Sequence, residues 1–446
     1  MTASPTARRA RIPLCVAALI ALVSALVVAP TATAAKRTAH RELVVGFRAG
    51  TGATARARAV AASGTRLLGA LPGRANRVAL SPGASLAGTA ARLRRNPAVA
   101  YAVPTHTARA SAFYPDDPGF RLQWNFAGPF GIDMPEAWEL ASRRNAPGGR
   151  GAIVAVLDTG VAYRALGSDR RAPDLDAFVA GYDFVDDDPY PIDANGHGTH
   201  VAGTIAEGTN NRIGAAGIAY GARIMPVRTL DAAGDGDAVT IARGIWYAVR
   251  HRADVINMSL EFGTNIGARD VPEVLAALRY ARSHGVLVTT VAGNEGHTGR
   301  LPLPARSTNV IAVAATTAHG CRARYSNAGP EVDVAAPGGG PDAASAGDAW
   351  DSEHCRQDTV GPSIYQETLR PDLPGFGLPS GYYGTSMAAP HVAGVAALII
   401  ASGLLGAHPS PAAVQQRIEQ TARDLGPPGF DTGYGHGLID AAAALR

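Results

Sequence analysis

The sequence predicts an α/β fold, a mostly parallel and twisted sheet with helices on both faces, preceded by a small α+β unit. Two observations support this prediction. From about residue 120, aliphatic runs of strand length alternate with segments of helical periodicity, a pattern typical of a parallel sheet covered on both faces. Before that point the elements are fewer, and the composition becomes acidic and proline-rich at residues 114–118. We therefore expect two domains, residues 36–110 and 111–446, after a leader at 1–35.

The individual elements follow from hydrophobic spacing. In the first domain the spacing predicts strands at 42–47, 76–80 and 99–103, and helices at 54–68 and 86–95. In the second domain it predicts strands at 153–157, 254–258, 286–291 and 309–315, and helices at 200–207, 238–251, 271–283 and 387–401. Residues 338–380 are rich in Gly, Pro, Ser and Asp without a clear period, so we expect a long surface insertion there.

The leader has the pattern of a secretory signal peptide. A basic stretch at 8–11 precedes an apolar run at 14–28, and Ala-Thr-Ala at 32–34 provides a small-residue cleavage site. The apolar run is too short to favour a mature membrane span. We therefore expect a secreted, extracellular protein with no membrane segment after the signal is removed.

Charge is distributed very unevenly along the chain. Residues 1–110 contain sixteen Arg or Lys and a single acid, Glu42, whereas the remainder contains 25 basic and 36 acidic residues. The sequence pI near 9.0 would suggest nucleic acid as a partner, but the basic excess is confined to one block. We expect no nucleic-acid binding and instead expect the two parts of the chain to be partners of each other.

Cysteine usage fits an oxidising compartment. Cys15 lies in the leader, which leaves Cys321 and Cys355 in the mature chain. One disulfide between these two residues is expected after secretion, and two free thiols are the alternative.

Three short segments carry the residues of a hydrolase. VAVLDTG at 154–160 supplies Asp158 at the end of an aliphatic strand, NGHGTH at 195–200 supplies His197, and GTSMAAPH at 384–391 supplies Ser386 before an apolar helix. A Ser hydroxyl needs an adjacent base, and the base needs an orienting carboxylate. Each residue alone has a structural interpretation, namely a turn Asp, a capping or zinc-binding His, and an ordinary N-cap Ser.

Together, the three segments resemble the subtilase (subtilisin-like, peptidase S8) family of serine proteases over about residues 120–445. The resemblance implies a subtilisin-like sheet and a serine endopeptidase with an acyl-enzyme intermediate. It assigns Ser386 as nucleophile, His197 as general base and Asp158 as the residue that orients the imidazole. AGNEG at 292–296 resembles the oxyanion segment of the family, which implies that Asn294 is the side-chain donor.

Substrate contacts follow from the same resemblance. VINMSL at 255–260 is similar to the strand that pairs with the peptide substrate, so Ser259, Leu260 and Gly293 are predicted to bind substrate. The family pattern continues with Gly, but this chain has Glu261. Glu261 either lines the specificity pocket, favouring basic or small residues before the scissile bond, or points to solvent, and the sequence leaves both possibilities open.

A structural calcium ion is implied by resemblance as well, with no organic cofactor. The predicted ligands are the side chains of Asp174 and Asn211 and the main-chain oxygens of Thr209, Ile213 and Ala215, since oxygen donors suit a hard cation. No ligand from the N-terminal part of the mature chain is evident, and Arg212 adds a positive charge nearby.

Residues 36–110 resemble the prodomain of secreted subtilases, a small ferredoxin-like unit that acts as intramolecular inhibitor and folding aid. The expected protein is therefore a self-processed zymogen that acts on polypeptides, cut near residues 108–110 and monomeric. Two alternatives remain, a catalytically dead binding protein on the same scaffold and a lipase or esterase. The latter enzymes use a G-x-S-x-G turn, which the segment at 384–388 lacks.

Overall fold

The computed structural model describes residues 42–81, 83–105, 113–167, 169–343, 355, 359–371 and 374–446. The predicted signal peptide lies outside these residues. The chain divides into two compact units, residues 1–110 and 111–446, and each is described by itself. Within the described residues, no helix has the length and apolarity needed to cross a membrane.

The N-terminal unit is a four-stranded antiparallel sheet with two helices. Its elements are β1 (Glu42–Phe47), α1 (Ala53–Ala62), β2 (Thr65–Leu71), β3 (Ala75–Leu80), α2 (Leu86–Arg94) and β4 (Val99–Pro104). The strand order is β2-β3-β1-β4, and β1 pairs antiparallel with both neighbours. Leu43, Val45 and Val78 are fully buried in a small core of their own, so this unit has the internal packing of a separate domain.

One element of this unit differs from the prediction. A single helix was expected at 54–68, but α1 ends at Ala62 and β2 begins at Thr65. The Ser63 hydroxyl donates to the Val60 carbonyl at 2.7 Å, and Gly64 has φ of 68°. A left-handed glycine after the last turn stops a helix, so the following residues are free to pair with β3.

The C-terminal unit is built on a seven-stranded sheet. Its strands are β5 (Ile153–Asp158), β6 (Tyr182–Asp183), β7 (Arg223–Arg228), β8 (Val255–Met258), β9 (Leu287–Val291), β10 (Ile311–Thr316) and β11 (Val334–Pro337). The order is β11-β10-β9-β8-β5-β7-β6, and every neighbouring pair is parallel. The predicted mostly parallel sheet is therefore confirmed.

Helices cover both faces of this sheet. They are α3 (Trp124–Ala127), α4 (Met134–Arg143), α5 (His197–Ala206), α6 (Ala238–Arg250), α7 (Pro272–Ser283), α8 (Thr385–Ala401), α9 (Pro411–Thr421) and α10 (Ala441–Leu445). Val154 and Val156 of β5 join the core on the side of α4, α5 and α8, whereas Ala155 and Leu157 join the core on the side of α6 and α7. Successive strand residues point to opposite faces, so a strand that is apolar throughout is buried on both.

Three strands of the sheet, β6, β7 and β11, lie outside the predicted set, and β6 is only two residues long. β7 contains Pro226, which cannot donate a ladder hydrogen bond, yet it lies between β5 and β6. β11 is only four residues long and consists of Val, Ala, Ala and Pro. Neither segment carries a strong strand signal, and both are held by the neighbours that flank them.

The 338–380 segment also differs from the predicted surface insertion in its described part. Ile364, Gln366 and Thr368 are fully buried. The Ile364 carbonyl lies 3.0 Å from Nε2 of His200 in α5, and the Thr368 hydroxyl donates to the Gly196 carbonyl. A short antiparallel pair, β12 (Thr368–Leu369) and β13 (Phe376–Gly377), follows. This segment packs against the helix that carries His197.

Candidate active site

The three predicted catalytic side chains come from the edge of the sheet where the parallel strands end. Asp158 is the last residue of β5, His197 is the first residue of α5, and Ser386 is the second residue of α8. In open α/β sheets this edge is where functional groups collect. His197 and Ser386 line one cavity of about 380 Å³.

Asp158 and His197 form a direct polar contact. His197 Nδ1 lies 2.7 Å from Asp158 Oδ1, and the Thr159 N–H donates to the same oxygen at 2.8 Å. Asp158 is fully buried, whereas the His197 side chain is 27% exposed. The carboxylate therefore fixes one imidazole nitrogen and leaves the other side of the ring open to the cavity.

The environment of His197 favours its protonated form. Burial acts to lower the pKa of the imidazole, but the charge and hydrogen bond of Asp158, with a smaller contribution from Asp193, raise it above its ordinary value. A carboxylate partner stabilises an imidazolium in this way. His197 is thus arranged to accept a proton and hold it.

Asp193 is a supporting residue that the sequence analysis missed. Its Oδ1 accepts from the Thr159 hydroxyl at 2.9 Å and from the Gly196 N–H at 2.9 Å. Its Oδ2 accepts from the Thr199 hydroxyl at 2.6 Å. The buried carboxylate thereby joins the end of β5 to the start of α5. The signal that could have revealed it is an Asp three residues before Gly196, a spacing typical of a side chain that accepts main-chain hydrogen bonds in a turn.

Ser386 is held close to the segment after β8. Its hydroxyl donates to the Ser259 carbonyl at 3.3 Å, and the Ser259 hydroxyl donates to the Ser386 carbonyl at 2.8 Å. Among the described residues, no hydrogen bond joins Ser386 Oγ to His197. Catalytic hydrogen bonds are often loose without substrate, and a rotation of Ser386 about χ1 would release Oγ from Ser259.

Asn294 lies beside the start of α8. Its Oδ1 accepts from the Thr385 N–H at 2.8 Å and from the Thr385 hydroxyl at 3.0 Å. These two bonds fix the carbonyl side of the amide, so the NH₂ group points away from Thr385. Asn294 is exposed, and its amide is accessible to a substrate at the helix terminus.

The predicted substrate segment lines the cavity. Ser259, Leu260 and Glu261 all border it. Gly293 has φ of 105°, and a Cβ at this position would lie 2.5 Å from Glu261 Oε2. Glycine is favoured here because other residues rarely adopt this positive φ, and a Cβ would also meet the Glu261 carboxyl and the Asn327 amide. Of the two possibilities left open for Glu261, the structure has the side chain in the cavity wall.

His200, the second histidine of the NGHGTH segment, is a buried residue of the protein core. It is fully buried, and its ring stacks on Tyr382 with 4.3 Å between centroids. Burial lowers its pKa to about 3. Within the described ranges, no group of three or more His, Cys, Asp or Glu side chains could hold a metal ion, and the geometry gives no support to a zinc site at His197 and His200.

The predicted calcium ligands are close together but do not form a cation cage. Asn211 donates its amide N–H to Asp174 Oδ1 at 2.6 Å, and its own Oδ1 accepts from the Ile213 N–H at 2.9 Å. Asn211 therefore presents nitrogen, not oxygen, to the carboxylate. The Ala215 N–H donates to Glu207 Oε1 at 2.6 Å.

Asp117 lies near the start of the C-terminal unit and holds the loop at 210–212, a contact that was not predicted from the sequence. Its carboxylate accepts from the main-chain N–H groups of Asn210, Asn211 and Arg212 at 2.7, 2.8 and 3.1 Å. A calcium ion needs several converging oxygens, whereas N–H donors converge here. Asp174 Oδ2 is buried and has no partner among the described residues, but no group of three or more His, Cys, Asp or Glu that could hold a metal ion occurs there, so these residues, Thr209 included, show no assembled calcium site.

Cys321 and Cys355 form a disulfide, with Cα atoms 5.6 Å apart. Both residues are buried. The bond ties the loop after β10 to the 338–380 segment, in which Cys355 lies.

Comparison with known proteins agrees with this arrangement. The model of the subtilase family matches residues 149–437, which is more than half of the chain. The chain belongs to the subtilase family. Subtilases are serine endopeptidases, so the chain is an enzyme of that type. The model of the fervidolysin N-terminal prodomain matches residues 27–105, which supports a subtilase with a propeptide.

Individual subtilases are similar over most of the chain. Thermitase from Thermoactinomyces vulgaris is 36% identical over 335 residues, covering 75% of this chain and 100% of thermitase. Subtilisin E from Bacillus subtilis is 35% identical, covering 79% of this chain and 77% of that protein. An extracellular protease from Xanthomonas campestris is 35% identical, and the match spans 56% of its length.

A solved structure supports the fold. A protease from Pseudoalteromonas arctica matches with a TM-score of 0.57 and 33% identity, over 74% of this chain and 98% of that one. The subtilisin-like fold predicted from the sequence is therefore confirmed. Subtilases commonly bind structural calcium.

Proposed function

We propose that the chain is a secreted serine endopeptidase, made as a zymogen, that hydrolyses peptide bonds through Asp158, His197 and Ser386. The observation that carries the proposal is the 2.7 Å contact between Asp158 and His197, made on the wall of the cavity that also contains Ser386. A buried carboxylate, an imidazole open to a cleft and a hydroxyl at a helix start are the parts that acyl transfer needs.

The first step is attack by Ser386 Oγ on the carbonyl carbon of the substrate. Oγ leaves the Ser259 carbonyl and gives its proton to His197, while Asp158 holds the imidazole tautomer and stabilises the resulting cation. The new bond makes a tetrahedral intermediate whose oxygen carries a negative charge. His197 then gives the proton to the leaving amine, and water releases the acyl group from Ser386 by the same steps.

The negative oxygen needs donors at the helix start. The Asn294 amide supplies one, because its carbonyl side is fixed by Thr385. The Ser386 N–H supplies a second, since the first N–H groups of a helix have no intrahelical acceptor. The segment Ser259–Glu261 borders the same cavity and, with Gly293 beside Glu261, would hold an extended peptide as an added strand.

The N-terminal domain at 36–110 is proposed to act as intramolecular inhibitor and folding aid. Its basic composition opposes the acidic excess of residues 111–446, and complementary charge speeds encounter and fixes register. In this proposal the leader at 1–35 directs secretion, and the enzyme cuts its own chain near residues 108–110.

Calcium takes no part in this mechanism. The loop that contains the predicted ligands is held by Asp117 and Glu207 through main-chain N–H groups. We propose that it keeps its conformation without a bound cation.

The test uses the secreted wild-type protein and Ser386→Ala. Wild type should react with a serine-directed phosphonate at Ser386 and hydrolyse casein, whereas Ser386→Ala should lose about 10⁶-fold in turnover, a magnitude measured for subtilisin itself. Mass spectrometry of Ser386→Ala should find the precursor uncut near residue 110. Turnover of a lipid ester without casein hydrolysis would favour the lipase alternative, and a correctly cut Ser386→Ala would assign processing to another protease.

A further inference from the structure

Glu261 stands out because its carboxyl is placed in a catalytic cleft with no partner for one oxygen. It follows β8 and borders the cavity that contains Ser386 and His197. Its Oε2 is buried and makes no hydrogen bond to any residue that the structure describes. A buried acceptor without a donor is costly, so this carboxylate gains most from a ligand that brings a donor or a positive charge.

The neighbouring carboxylate, Glu295, supplies neither a donor nor a positive charge to Glu261. Glu295 Oε2 accepts from the Asn327 amide at 2.6 Å, and both carboxyls approach the space beside Gly293. Burial, then repulsion from Glu295, raises the pKa of Glu261 to about 7, against hydrogen bonds from the main chain and side chain of Asn294. The other titratable groups on the cavity wall are His197 and Asp235.

The position of Glu261 identifies the part of the substrate that it meets. The carbonyl that Ser386 attacks belongs to the residue before the scissile bond, and its oxygen lies at Asn294 in the proposed mechanism. Glu261 lines the same cavity as Ser386 and Leu260, so the side chain of that same residue would enter the space that Glu261 borders. A Lys or Arg there would place its charge near the Glu261 carboxylate.

Ionised Glu261 also acts on the reaction itself. A carboxylate next to Asn294 repels the negative oxygen that forms on the substrate, and it competes for the Asn294 amide. A cationic substrate side chain neutralises the carboxylate and removes both effects. An uncharged side chain leaves them in place, and the penalty then falls on the transition state and hence on kcat.

We propose that Glu261 makes the specificity of this protease depend on pH: when ionised it selects Lys or Arg before the scissile bond, and when protonated it accepts uncharged side chains as well. This inference rests on the proposed function, because it concerns the same cleft.

The experiment compares two peptide anilides that differ in one residue, lysine or its uncharged analogue norleucine, before the scissile bond. kcat and KM are measured from pH 5.5 to 9 with enzyme titrated by phosphonate. The ratio of the two kcat/KM values cancels the titration of His197, which both substrates share. In wild type the ratio should rise by about tenfold or more through pH 7, since a desolvated charge pair strongly affects binding and rate.

Glu261→Gln keeps the shape and removes the charge. In this variant the ratio of kcat/KM for the lysine substrate to that for the norleucine substrate should stay within about threefold of one at every pH. Its kcat for the norleucine substrate at pH 9 should exceed that of wild type. Glu261→Asp should retain the pH dependence. Glu295→Gln should move the midpoint of the wild-type curve to lower pH, because it removes the charge that raises the pKa of Glu261. Glu273→Gln on α7 is the matched control and should match wild type.

A ratio in wild type that does not change with pH, or a Glu261→Gln ratio that still rises, would overturn the inference while leaving an active protease. If neither anilide nor casein is hydrolysed, the proposed function fails and the inference with it. The wild-type pH series needs no variant, so a Glu261→Gln protein that fails to fold does not remove the test.

Discussion

Two acidic residues at the ends of neighbouring parallel strands have opposite surroundings. Asp158, at the end of β5, faces His197 at 2.7 Å. Glu261, just after β8, faces a second carboxylate, Glu295, and an unpaired oxygen remains. A carboxylate beside an imidazole stabilises a positive charge, whereas a carboxylate beside another carboxylate favours its own protonation. In the proposed mechanism, the same edge of the sheet thus contains one group that supports the chemistry and one that responds to substrate and pH.

The largest effect within this comparison should come from Asp158. Asp158→Asn should lower kcat by about 10⁴-fold, because the amide no longer stabilises the imidazolium or the correct tautomer. The acid limb of the wild-type kcat/KM profile should lie above pH 6.5, since the pKa of His197 is raised and the base acts only when deprotonated. Rate profiles of both proteins, with casein and a lysine anilide, measure this.

In Asp158→Asn the same limb should move to lower pH, because the charge that raises the pKa of His197 is gone. Asp237→Asn is the control, since Asp237 caps α6 through the Val239 and Thr240 N–H groups and is absent from the cavity lining. An Asp158→Asn enzyme with near wild-type kcat would contradict the assigned role.

A smaller loss is expected from the oxyanion donor. Asn294→Ala should lower kcat by about 10²–10³-fold with little change in KM, since the donor acts on the transition state; the magnitude comes from a subtilisin variant. Asn294→Ala also removes the acceptor of the Thr385 N–H. Rates are therefore expressed per active site titrated with phosphonate, which separates a lower kcat from a loss of folded enzyme. Asn309→Ala, in the loop before β10, is the control. A KM increase at unchanged kcat would indicate ordinary substrate binding.

The contrast between local and long-range interactions explains what the sequence could predict. Asp158, His197, Ser386 and Asn294 each stand at a strand end, helix start or turn, and local sequence marks such places. The seven-stranded sheet was predictable where aliphatic runs were strong, but β7 was not, because Pro226 obscures its pattern. β2 was missed because the apolar spacing continues past Ala62, although the glycine at position 64 is a recognisable helix-stop signal.

The supporting residues could not be found in this way, because their partners are distant in sequence. Glu367 Oε2 accepts from the Asp174 N–H at 2.8 Å across 193 residues, and Asp117 accepts from Asn211 across 94 residues. Each donor is a main-chain N–H, which every residue except proline carries. No pairing pattern in the sequence therefore reveals these contacts, and the predicted calcium site was inferred without them.

The smallest effects should come from the loop at 209–215, whose main-chain N–H groups donate to Asp117 and Glu207. Addition of a chelator should leave the melting temperature of the mature enzyme unchanged within about 1 °C, whereas Asp117→Asn should destabilise it by about 1.5–3 kcal/mol, the usual contribution of hydrogen bonds to a charged group. Thermal unfolding with active-site-inhibited protein, with and without chelator, measures both.

Asp116→Asn is the matched control for this loop. Asp116 forms an exposed ion pair with Arg212 at 3.0 Å, and such pairs contribute about 0–1 kcal/mol. Comparison of Asp116→Asn with Asp117→Asn therefore distinguishes the loss of an exposed ion pair from the loss of a buried acceptor of N–H groups on the same loop. A fall of several degrees in wild type on chelation, restored by calcium, would mean that the loop binds a cation and that Asp117 turns from N–H acceptor to ligand. Since Asp117 is 4% exposed, either outcome makes it the residue on which the loop depends.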